Sequence, residues 1–255
     1  MSLRAFTCSI IALLASGSAL VEAAEVKVIG GSAVIPAMAE LIPKFEQTSG
    51  HKVRTDFDGA VGQMTDRVRK GEVADVVIVS GAQIDALTRE AKVVAGSRRD
   101  IAKVGVGVFV RKGAQKPDIS SVETFKRALS AAKSIGYNDP DAGAPVSLYL
   151  IDLFERLGIA AEMKSKTIVF KQRSERFEAV ARGDVEIGFN QISEIVAASG
   201  VELVGPLPAP IQRYTLFSSG IVANGPEQAA GSGLVAFISS PLAAAVWQSK
   251  GFERP

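Results

Sequence analysis

Apolar and polar positions along this chain fall into short blocks whose period switches between two and 3.6. Glu25 to Ile29 reads as a strand, Gly30-Gly-Ser32 as a turn, and Ile35 to Gly50 as a helix closed by a glycine cap. Lys52 to Phe57 predicts a second strand. A glycine-rich turn, Phe57 to Gly62, then opens a helix over Gln63 to Lys70 with Met64, Arg67 and Val68 on one stripe. Ala74 to Ser80 follows as a buried strand and Gln83 to Ala91 as a third helix. This βαβ rhythm predicts a parallel sheet with helices on both faces.

Near Lys103 the pattern changes. Val104 to Val110 reads as a long strand, and Ser120-Ser-Val-Glu123 opens a helix with a capping-box pattern. Ser134 to Tyr137, Ile168 to Phe170, Val185 to Asn190 and Tyr214 to Val222 read as further strands. Helices are expected over Val146 to Leu157, Ser174 to Arg182 and most of Glu227 to Trp247, and a proline-rich crossing covers Gly205 to Pro210. Two crossings predict an α/β chain of two lobes. Lobe 1 would take residues 24–103 and 212–255, and lobe 2 residues 104–211. Ligands in open α/β sheets lie at the carboxyl ends of strands, so the expected site is the cleft between lobes, with hinge closure around it.

Composition narrows the partners. With 47% hydrophobic residues and 255 in all, the chain can bury a substantial core. The net charge of +2, without long runs of Lys or Arg, argues against nucleic acid. Arg4, the apolar stretch Ala5 to Leu20 and Val21-Glu-Ala23 read as a secretory signal over residues 1–23. Cys8, the only cysteine, falls inside it. The expected mature chain is therefore a disulfide-free periplasmic monomer with no stable membrane insertion.

The chemistry is expected at four turns. Gly31 and Ser32 lie in the first, Ala60, Val61 and Gly62 in the second, Val146 and Ser147 in the third, and Asn190 and Gln191 in the fourth. The first three each precede a helix, whose opening amides lack partners and whose dipole favours negative charge. Hydroxyls from Ser32 and Ser147 and amides from Asn190 and Gln191 complete a set of neutral donors for a small anion. His51, the only histidine, reads as a surface residue. One histidine with no mature cysteine supplies neither a zinc site nor a cysteine nucleophile, and no metal or cofactor is expected.

Together these segments resemble the periplasmic molybdate-binding proteins of ABC importers, which have the type 2 two-lobed solute-binding fold. The resemblance is carried by Gly31-Ser32, by Arg69-Lys-Gly71 with Ala74-Asp-Val76 and Ile78-Val-Ser80, by Asp139-Pro140, Pro145, Tyr149 and Leu157-Gly158, and by Arg182 to Gly188. It implies an ABC permease as partner. Three departures change the implied ligand. That family's paired serines fall on Ala60 and Val61, its tyrosine falls on Gln191, and a valine position falls near Arg173. An arginine fork matches a carboxylate bidentately, so a di- or tricarboxylate becomes a candidate beside a molybdate-like oxyanion. The principal expectation is a solute receptor with no catalytic residue. The alternative is an aconitate isomerase-type enzyme on the same scaffold, with Asp58, Asp139, Glu194 or Tyr149 as base for an allylic proton shift.

Overall fold

The computed structural model describes residues 23–255, and only the backbone of Arg173. Residues 1–22 of the expected signal lie outside the described residues. In chain order the strands are β1 (Glu25–Gly30), β2 (Lys52–Asp56), β3 (Val76–Ser80), β4 (Arg99–Arg111), β5 (Ile135–Asn138), β6 (Thr167–Phe170), β7 (Ile187–Gln191), β8 (Val201–Pro206) and β9 (Tyr214–Ile221). The helices are α1 (Ile35–Ser49), α2 (Val61–Arg69), α3 (Gly81–Arg89), α4 (Val122–Ala131), α5 (Pro145–Arg156), α6 (Ala160–Lys166), α7 (Arg173–Arg182), α8 (Ile192–Ala197), α9 (Gln228–Ile238) and α10 (Pro241–Ser249).

The strands form one mixed sheet in the order β2-β1-β3-β9-β4-β7-β5-β6, with β8 paired to β4. β1, β2 and β3 are parallel, as are β5, β6 and β7, and each set is covered by helices. β3 shows why. Val76, Val77, Ile78 and Val79 are all fully buried, as a strand packed on both faces requires. Two core regions result. One draws on Val26 to Val104 and Phe217 to Phe252, centred on Trp247 and Phe217. The other lies within Val106 to Ile211, with Phe125, Phe154 and Phe189 in edge-on contact.

β4 joins the lobes. Arg99 to Gly105 pair with β9, whereas Val106 to Arg111 pair with β7 and β8, so the strand spans both cores. It begins five residues before the expected Val104. The returning chain is fastened at the same point, because the Gln212 side chain bonds both the amide and the carbonyl of Val106, each at 3.0 Å. α6, α8 and β8 were not anticipated from the sequence, and the helix expected over Glu227 to Trp247 is two. Ser240 caps α10 and Pro241 opens it, so α9 and α10 meet at 65°. Among the described residues no single helix is long and apolar enough to cross a membrane. His51 is half-buried rather than exposed, and its Nδ1 accepts the Ala24 amide at 3.2 Å.

Candidate functional site

The strand ends of both lobes converge on one small cavity. From the first lobe, the turn after β1 supplies Ser32 and Ala33, and the start of α2 supplies Ala60 and Val61. The two turns are tied together where the Ser32 amide donates to the Gly59 carbonyl at 3.2 Å. Gly31 sits just behind, its backbone packed on Val61 so closely that a Cβ would lie 2.7 Å from Val61 Cγ2. From the second lobe come Asn138 at the end of β5, Ala144 to Ser147 at the start of α5, Arg176 on α7, and Phe189, Asn190, Gln191 and Glu194 on β7 and α8. Pro145 occupies the first position of α5, where a missing N–H costs nothing, so the Val146 and Ser147 amides are the opening donors of that helix.

The lobes are in contact here. A Cβ on Gly62 would lie 2.9 Å from Gly143 Cα, so the two backbones touch across the cleft. Helix α8 adds two clasps. The Ser32 hydroxyl donates to Glu194 Oε1 at 2.9 Å, and the Ser193 hydroxyl donates to the Ala33 carbonyl at 3.0 Å. The space between the walls is small, a cavity of ≈ 30 Å³.

Polar chemistry dominates the second-lobe wall. Arg176 is fully buried, donates to Asn138 Oδ1, and lies 4.9 Å from the centroid of the Phe177 ring. Ser147, Asn190, Gln191 and Glu194 are buried beside it. The Ser147 hydroxyl, the Asn190 Nδ2 and the Gln191 Oε1 have no hydrogen-bond partner among the described residues. Gln191 Nε2 is held by the Thr215 hydroxyl at 3.2 Å, which fixes the amide's orientation. Buried polar atoms left unpaired cost about 1–3 kcal/mol each, and a cluster of them around one cavity is what a polar ligand would satisfy.

Of the residues expected from the sequence, Ser32, Ala60, Val61, Val146, Ser147, Asn190 and Gln191 line this cavity. Gly31 and Gly62 form the backbone against its first-lobe wall. Arg173 opens α7, and its side chain lies outside the described residues. Of the four candidate bases, Glu194 alone lines the cavity. Asp58 lines a neighbouring groove, Asp139 accepts the Asp141 amide in its own turn, and the Tyr149 hydroxyl donates to the Ile211 carbonyl at 2.6 Å. Sequence reasoning missed Arg176 and Asn138. The available signal for Arg176 was its place three and four residues before Ala179 and Val180, on the buried stripe of α7.

The first-lobe turn is braced from behind. Arg67 on α2 bonds Asp56 at the end of β2 and Glu72, each at 2.6 Å, and Lys27 joins Glu72 at 3.0 Å. The Arg67 guanidinium holds the Glu72 carboxyl down at about 2 and lowers that of Asp56.

Two facing α/β lobes with a polar cavity at their strand ends are the arrangement of a solute-binding protein. Residues 26–253 match the family of bacterial extracellular solute-binding proteins, and the chain belongs to that family. It is 30% identical over 258 residues to an aconitate isomerase from a Pseudomonas species, spanning 97% of this chain and 95% of that protein. It is also 27% identical over 238 residues to the molybdate-binding protein ModA of Azotobacter vinelandii, spanning 91% and 90%. The solved periplasmic molybdate-binding protein of Azotobacter vinelandii superposes with a TM-score of 0.76 at 18% identity, covering 90% of this chain and 99% of that one. The type 2 two-lobed fold expected from the sequence is the fold of this chain.

Proposed function

We propose that this protein is a periplasmic binding protein whose lobes close on a small carboxylate anion. One observation carries the reading: a fully buried guanidinium, Arg176, forms part of the cavity wall. Arg176 thereby brings a planar fork to the cavity wall, and that fork fits a carboxylate in two-point contact. Ser147 and Asn190 add neutral donors, and the opening amides of α2 and α5 add partial positive charge from both sides. Ala60 and Val61 bring no hydroxyl to hold a tetrahedral oxyanion, and Gln191 stands where a tyrosine would be expected in a molybdate site. The test is titration calorimetry of the purified protein against citrate, cis- and trans-aconitate, molybdate, tungstate and sulfate. Saturable binding of a carboxylate is expected. Tight molybdate binding with no carboxylate binding overturns the reading.

Glu194 favours a second reading, in which the same site performs chemistry. Its carboxyl is buried on the cavity wall, which puts a proton acceptor against the ligand space. The full-length resemblance to a Pseudomonas aconitate isomerase points to an allylic proton shift. Glu194 would take a proton from the methylene carbon of trans-aconitate. The double bond would move one position along the carbon skeleton, and the proton would return at the other end of the allylic system, giving the cis isomer. Atoms and charge balance, and no metal or redox partner is required. Proton NMR decides it. Cis-aconitate appearing from trans-aconitate with wild type, lost in Glu194→Gln while binding persists, supports the enzyme. Binding with no conversion leaves a receptor that delivers its ligand to an ABC permease.

A further inference from the structure

We infer that the ligand bears at least two anionic groups and spans two compartments, one carboxylate in the cavity and another in an adjoining groove where Lys171 receives it. The inference rests on the carboxylate reading above and adds the ligand's size, charge and orientation. The groove opens beside the cavity, shares Ser32, Ala60 and Asn138 with it, and is larger, ≈ 400 Å³ against ≈ 30 Å³. The inner space is the smaller of the two, so the remainder of a ligand seated there has this shared wall to follow.

Topology places the cation. Phe170 at the end of β6 lies opposite Asn138 at the end of β5, and the Asp139 amide donates to the Phe170 carbonyl at 2.8 Å. Lys171 is therefore the first residue past a strand end, directly beside the Asn138 that Arg176 holds. These are carboxyl ends of parallel strands, where open α/β sheets bind ligands. Lys171 is exposed and makes no ion pair among the described residues. Gln172 and Ser174 line the groove next to it, and Asp58 faces the same space from the first lobe as its acidic member. Among the described side chains, two cationic positions, one buried and one at the rim, match a di- or tricarboxylate whose inner group is desolvated and whose outer group stays wet. An inorganic oxyanion or a monocarboxylate would leave Lys171 unused.

Calorimetry with matched ligands tests this, using trans-aconitate as tricarboxylate, crotonate as monocarboxylate and sulfate as compact oxyanion. Lys171→Ala should weaken trans-aconitate about fivefold, the scale of an exposed charge pair, and leave crotonate and sulfate unchanged. The loss should shrink as salt rises. Asp58→Asn should tighten trans-aconitate by a comparable factor. Both positions are exposed, so the variants are expected to fold, and unchanged melting curves check this. If wild type binds trans-aconitate and neither variant alters the affinity, the two-compartment inference fails while the carboxylate reading stands. If wild type binds sulfate and no carboxylate, both fail together.

Discussion

The two walls of the cavity are built of different materials. The first lobe presents backbone and small side chains: Ser32, Ala33, Ala60 and Val61, held by glycine turns and by the Arg67 brace behind them. The second lobe presents the charged and amide groups, Asn138, Arg176, Asn190, Gln191 and Glu194. One wall supplies shape and oriented dipoles, which suit many small anions. The other supplies a charge, a fork and a carboxylate, which discriminate among them. Ligand identity should thus be written mainly in the second lobe, and closure mainly in the first.

That division can be broken experimentally, beginning with closure. Gly62 meets backbone, not a flexible side chain, across the cleft. Gly62→Val should hold the lobes apart and reduce affinity about 10- to 100-fold for every ligand alike, the scale of an overpacked contact. Titration and small-angle scattering of the liganded protein would show it. A change in ligand preference instead of a uniform loss would mean the first lobe discriminates.

Ser32 comes next, because it is the first-lobe side chain that touches a second-lobe charge. Ser32→Ala removes the donor to buried Glu194, at a cost of about 1.5 kcal/mol, roughly tenfold in affinity for the closed form. Titration calorimetry reads the loss, and unchanged affinity would show that this clasp does not contribute to closure.

The Arg67 brace should give the smallest effect on binding and a distinct signature with pH. The folded Glu72 carboxyl lies at about 2, below the ordinary 4.5, so its ion pair contributes fully above about pH 4.5. That contribution is lost as pH falls towards 2. Thermal melts should show stability declining through this window, less steeply in Glu72→Gln. Ligand affinity above pH 5 should be indifferent to that change. An equal acid dependence in wild type and variant would contradict the brace.

The same contrast governs what could be read in advance. First-lobe features are local: a strand, a glycine turn and an amphipathic helix follow each other within Val53 to Ser80, and the structure keeps that order. The glycine cap at Gly50 is likewise visible in sequence, and its φ of 77° has the left-handed value that favours glycine. Turns at strand ends also located most of the cavity lining. Arg176 carried only a faint signal, its spacing to the buried Ala179 and Val180, because Arg173-Ser-Glu-Arg176 reads as a solvated helix start. Glu194 was recognised as a possible base, but its helix has six residues, too few to show a period. β8 was hidden by Gly205-Pro206, which suggest a turn. Prolines are tolerated on an edge strand such as this one, which pairs only with β4.

The central claim is that a buried guanidinium in the second lobe holds a carboxylate. Titration of trans-aconitate and molybdate into wild type and Arg176→Lys, with melting curves to show that both are folded, tests it most directly. Lysine keeps the charge and loses the two-point fork. The account predicts that wild type binds trans-aconitate and that Arg176→Lys weakens it by about 1.5–3 kcal/mol, the scale of one lost hydrogen bond to a charged group. Trans-aconitate affinity that survives the change, or tight molybdate binding in both proteins, would contradict it.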